Sequence, residues 1–168
     1  MSLLAPLQTG CLIAFAGLLL VAAWQDLRTM RIGNRLSLAI VALFGLWALG
    51  GWLSGAFSLS TLGWAVTCGL GLFGLGAAAF AAGMIGGGDV KLMAAVGLFA
   101  GPALLADFLT VMALVGGALG FAVLAGAPIG SASAPGGATF RARLRGGLPY
   151  GPAIAAGGLW VAALRIAG

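Results

Sequence analysis

The chain has 168 residues, a net charge of +5 and a mean hydropathy of +1.17, with 62% of residues hydrophobic and 7% charged. Soluble globular domains carry about 25% charged residues, so this composition excludes a water-soluble fold and describes an integral membrane protein. There is no histidine, and Cys11 and Cys68 have no C-x-x-C spacing, which rules out Ser-His-Asp and Cys-His catalysis and leaves no basis for a protein-bound zinc site.

A membrane helix needs about 20 apolar residues to cross about 30 Å. The first predicted helix runs from Pro6 to Trp24, inside a stretch that carries no charge before Asp26. It lacks the basic n-region and small-residue cleavage site of a secretory signal, so it reads as a span that is retained. A basic loop with Arg28, Arg31 and Arg35 follows, then an uncharged run from Leu36 to Gly88 long enough for two spans. Gly and Ser cluster between Gly50 and Ser60, which divides that run into a second helix, Leu36 to Leu53, and a third, Leu59 to Ala82. Gly69, Gly71, Gly74 and Gly76 give the third helix a small-residue face for close approach to a neighbour.

After Asp89 a short apolar stretch, Lys91 to Ala100, meets the breaker Gly101-Pro102, and a fifth helix is predicted from Ala103 to Ala125. Gly126 to Gly147 is rich in Gly, Ala, Pro and Ser, holds Arg141, Arg143 and Arg145, and reads as a flexible loop. A sixth helix is expected from Pro149 to Ile166, with its prolines in or near the first turn, where they are tolerated.

The positive-inside rule orders these elements. With the N-terminus outside, all three loops bearing Lys or Arg fall in the cytoplasm, and the connections near Ser54 and Pro102 carry none. The rule holds only if 90–99 crosses the membrane, with Arg165 as a weak exception. The expected fold is therefore an all-α integral membrane protein of about six transmembrane helices, the fourth short, forming one membrane-embedded domain over 1–168. The basic excess sets topology and meets anionic lipid headgroups, and no nucleic-acid partner is implied.

The chain has only three acids, Asp26, Asp89 and Asp107. An ionisable group at the edge of the hydrocarbon is costly and marks a candidate functional site. The topology used only hydropathy and basic residues, yet it brings Asp26 and Asp89, 63 positions apart, to one membrane face. Two carboxylates can hold one water between them and hydrolyse a peptide bond, one taking a proton and the other donating one. The plainer reading is that Asp26 flanks its helix and pairs with Arg28, while Asp89 N-caps the fourth helix. Before Asp89, the run Gly86-Gly87-Gly88 strips side chains from the backbone, so another chain can come close; an ordinary glycine loop is the plainer alternative. Lys91 is read as a topology residue in preference to a partner for Asp89, and Asp107 as interfacial or structural.

The segments Asp26-Leu27-Arg28-Thr29-Met30-Arg31-Ile32-Gly33-Asn34-Arg35-Leu36, Gly86-Gly87-Gly88-Asp89-Val90-Lys91-Leu92 and Leu148-Pro149-Tyr150-Gly151-Pro152-Ala153 stand in an order that resembles the type IV prepilin peptidases, membrane aspartyl proteases with a G-x-G-D motif. The resemblance implies that Asp26 and Asp89 are the catalytic pair and that Gly86 and Gly88 are the motif glycines beside the approaching substrate. It implies no cofactor and no metal. The implied substrates are prepilins with a short basic leader and an apolar helix, cleaved at the cytoplasmic face of a bacterial inner membrane, commonly after glycine. Many members have Ile-Pro-Asn where this chain has Ile32-Gly33-Asn34. The cysteine-bearing insert and N-methyltransferase activity of larger members have no counterpart here, which matches the short form linked to Flp pili. Two other classes fit less well: a small transporter using the acids as a relay, and a non-catalytic pilus-assembly subunit.

Overall fold

A computed structural model of the chain describes residues 4–125 and 150–167. It is all-helical over these residues: α1 (Leu4–Thr29), α2 (Asn34–Leu53), α3 (Leu59–Ala81), α4 (Gly87–Leu124) and α5 (Gly151–Ala167). The first four are long and apolar enough to cross a membrane, and α5 is a shorter apolar helix. The predicted loop over 126–147, with Arg141, Arg143 and Arg145, and the Leu148-Pro149 pair lie outside the described residues.

Local chemistry sets the ends. At the start of α3, the Ser58 hydroxyl accepts from the Thr61 backbone N–H, satisfying one of the donors that a helix N-terminus leaves free. α1 runs five residues past the predicted Trp24, so Asp26 lies in its last turn, not beyond it. Met30 then takes a left-handed φ of 53°, an uncommon conformation for a residue with a side chain. Its N–H donates to the Asp26 carbonyl at 2.8 Å and closes the helix.

The break predicted at Gly101-Pro102 is present within α4. Gly101 has φ 55° and ψ −171°, outside the helical region, and Pro102 supplies no N–H. The two halves run in opposite directions. In the first, Val96 meets Gly158, and Ala100 meets Arg165. In the second, Phe108 meets Gly157 and Gly116 meets Ala153, in reverse order along α5. The second half thus returns toward the end of the bundle where α5 begins.

The core lies where α1, α2, the first half of α4 and α5 meet. Phe99, fully buried, stacks on Phe15 at 4.1 Å and meets the edges of Phe44 and Trp47. On α3, only part of the glycine face packs. Gly69 lies against Leu98 and the Ala94 carbonyl, and Gly76 against Val90 and Met93, whereas Gly71 and Gly74 face open space. Seven residues separate the packed pair, about two helical turns, so both lie on the stripe that meets α4. The outward surface carries Leu38, Leu70, Leu75, Leu114 and Phe121, an apolar exterior suited to lipid.

Candidate functional site

Asp26 and Asp89 lie at the same end of the bundle, where α1 ends and α4 and α5 begin. Asp26 is 4% exposed, one of only two buried polar or charged side chains among the described residues. Its Oδ2 accepts a 2.8 Å hydrogen bond from the backbone N–H of Gly151, the first residue of α5. An α-helix leaves its first N–H groups without intrahelical partners, and here one of them fixes a carboxylate. The plainer alternative, a pairing with Arg28, is not what the structure shows: the Arg28 guanidinium lies 4.3 Å over the Trp24 ring, on the exposed side of α1.

The plainer alternative for Asp89, an N-cap of its helix, does not hold. Gly86 is the N-cap of α4, with extended φ and ψ, and Asp89 is the third residue of the helix. From there its carboxylate reaches back and accepts from the Gly86 N–H, the reciprocal half of a capping box. Its other oxygen, Oδ1, is buried and has no hydrogen-bond partner among the described residues. Leaving such an atom unpaired costs about 1–3 kcal/mol, which the surrounding fold must offset. Asp26 lies close enough to act electrostatically on Asp89.

The glycines separate into distinct tasks. A Cβ on Gly86 would stand 2.9 Å from Asp89 Oδ2. A Cβ on Gly88 would meet the backbone of Ile32, 3.0 Å from its carbonyl oxygen and 3.3 Å from its nitrogen. A Cβ on Gly87 would find only the Phe80 ring at 3.5 Å, an ordinary contact. Two of the three glycines are thus needed for close approach, and the middle one is a spacer. The Ile32 contact ties the start of α4 to the loop after α1, and so ties the two acids to each other.

Among the described residues two concavities lie near this end, and the smaller contains an acid. A groove of about 630 Å³ between α2, α3 and α4 is apolar except at the Asn34, Ser37 and Lys91 end, where Lys91 Nζ donates to Asn34 Oδ1 at 2.8 Å. A cleft of about 280 Å³ between α3, both halves of α4 and the start of α5 contains Asp89 and Tyr150 in an otherwise apolar lining. Lys91 is therefore turned away from the acid pair. Asp107 is exposed on the second half of α4, a few residues past the Gly101 break.

Two participants were not assigned from the residues. In the sequence Gly151 is only one residue of the Leu148–Ala153 segment, and its N–H bond to Asp26 joins positions 125 apart. Arg165, read as a topological exception, donates from Nε to the Phe99 carbonyl at 3.3 Å and from an Nη to the Ala100 carbonyl at 3.2 Å. Those carbonyls lose their helical partners at the Gly101-Pro102 break, so Arg165 holds the corner of α4. Among the described residues no group of three His, Cys, Asp or Glu converges as a metal site would require.

Neither a curated protein nor a solved structure matches the chain. The model of the type IV leader peptidase family matches residues 13–121, which include α1 from its third turn, both acids, the glycine run and most of α4. With nearly two-thirds of its length matched, and both acids within that match, the chain belongs to the type IV leader peptidase family.

Proposed function

We propose that the protein is a membrane aspartyl endopeptidase that removes the leader from prepilins of the type IV/Flp kind, with Asp26 and Asp89 as its catalytic pair. The observation that carries this reading is the placement of two carboxylates at one end of the bundle, one tethered by a helix N-terminus and the other with a buried oxygen that has no hydrogen-bond partner among the described residues. A water held between such a pair loses a proton to the ionised carboxylate as it attacks the scissile carbonyl. The protonated partner donates to the carbonyl oxygen and then to the leaving nitrogen. The stripped backbone at Gly86 to Gly88 leaves room for a substrate strand beside Asp89.

In this reading the chain crosses a bacterial inner membrane six times, the two halves of α4 counting separately, and the acids lie near the cytoplasmic face. The opposite directions of those halves support the count, as does the grouping of basic residues at 28, 31, 35 and 91 with the acids. The leader of a precursor reaches the acids from the cytoplasm while its apolar helix stays in the bilayer.

The test is cleavage of a precursor with a short basic leader and an apolar helix by wild type, Asp26→Asn and Asp89→Asn, each confirmed as folded and inserted. Asparagine keeps the shape of aspartate but cannot exchange the proton. Loss of roughly 10²–10⁴-fold in rate is expected for each variant. Full activity in either one removes that residue from the mechanism. A wild type that cleaves no such precursor moves the protein toward the transporter or assembly-subunit readings.

A further inference from the structure

We propose that the 280 Å³ cleft beside Asp89 is a specificity pocket that receives the first apolar side chains after the scissile bond. This rests on the peptidase reading above and adds to it which residues select the substrate. The cleft is bounded by Leu75 and Ala79 of α3, Met93 and Asp89 of the first half of α4, and Leu109 and Met112 of its second half. Among the described residues Asp89 is the one charged group in its lining. A peptide whose carbonyl is placed at the acids must therefore send a neighbouring side chain into an apolar recess.

Size decides what that recess accepts. Small-molecule and cofactor sites occupy about 300–1,000 Å³, and this cleft lies just below that range. A helix with its side chains is about 10–12 Å across and does not fit. One or two apolar side chains do. The larger groove by Lys91 and Asn34 contains neither acid, so a chain lying there has no carboxylate to meet. The occupant of the smaller cleft is thus the segment where leader gives way to apolar helix, with the rest of that helix in lipid. Met93 and Met112, flexible and polarisable, let the recess adapt to more than one side chain.

The experiment measures kcat/KM of the full chain in detergent on a set of precursors. Each has a Lys/Arg-bearing leader, one scissile bond and an apolar helix of about 20 residues. The set differs only in the first residue of that helix: Ala, Leu or Phe. Ala79→Phe fills the cleft and Met112→Ala enlarges it. Ala79→Phe is expected to lose at least about tenfold on the Leu and Phe precursors while staying within about threefold on the Ala precursor, and Met112→Ala to shift preference toward Phe by about tenfold, the scale on which apolar pockets discriminate. Cleavage by both variants with the wild-type order of preference overturns the pocket and leaves the peptidase reading standing. Absence of cleavage by wild type, or cleavage by Asp89→Asn at the wild-type rate, overturns the peptidase reading and the pocket with it.

Discussion

The backbone N–H of Gly151 donates to the Asp26 carboxylate across 125 residues of sequence, at 2.8 Å, and so makes the start of α5 part of the acid site. Gly151 is buried, and a Cβ there would stand 2.6 Å from Asp26 Cβ and 2.8 Å from Oδ2. Gly151→Ala is therefore expected to displace the carboxylate. Overpacking of this kind costs about 1–3 kcal/mol, and the displacement should lower the cleavage rate by at least about tenfold. A cleavage assay alongside a detergent melting curve checks both numbers, and an unchanged rate would show that Asp26 does not depend on its contact with α5.

The glycine run makes a comparison among three neighbours. Gly88→Ala drives a methyl group into the Ile32 backbone, which has no side-chain freedom with which to yield, and Gly86→Ala crowds the Asp89 carboxylate. Each should reduce cleavage by about tenfold or more through misplacement of Asp89. Gly87→Ala meets only an ordinary contact and should retain activity within about twofold. Cleavage rates of the three single variants, normalised to inserted protein, decide the point; equal losses at all three would mean that the run serves flexibility and not close approach.

Arg165 offers a prediction about stability with no change in chemistry. Arg165→Leu leaves the Phe99 and Ala100 carbonyls without their donors at the α4 corner. A hydrogen bond to a charged group contributes about 1.5–3 kcal/mol, so a loss on that scale in thermal or denaturant unfolding is expected. The rate per folded molecule should stay near wild type, since the corner lies at the far end of the first half of α4 from Asp89.

Asp107 supplies the control for charge in general. It is exposed and separated from Asp26 and Asp89 by most of the first half of α4. Asp107→Asn should leave both stability and cleavage within about twofold, as surface changes usually do. A large loss would place a third acid in the reaction.

The sequence by itself determined that the chain is a membrane protein, that helices begin and end close to the observed residues, and that the chain breaks at Gly101-Pro102. These follow from hydropathy, from the glycine and proline signals, and from the cost of unpaired backbone groups in lipid, all of which act over a few residues. It also placed Asp26 and Asp89 at one end of the bundle, because basic residues orient spans whatever their packing. Only the tertiary structure decided which groups hold those acids. The Gly151 N–H on Asp26, the Ile32 backbone against Gly88, the Gly86 bond that makes Asp89 a third-position residue and not an N-cap, and the role of Arg165 at the α4 corner each depend on where helices distant in sequence come to lie. Hydropathy is blind to such contacts: apolar helices in lipid have no hydrophobic preference for one another, so small residues and a few backbone or polar hydrogen bonds choose the partners.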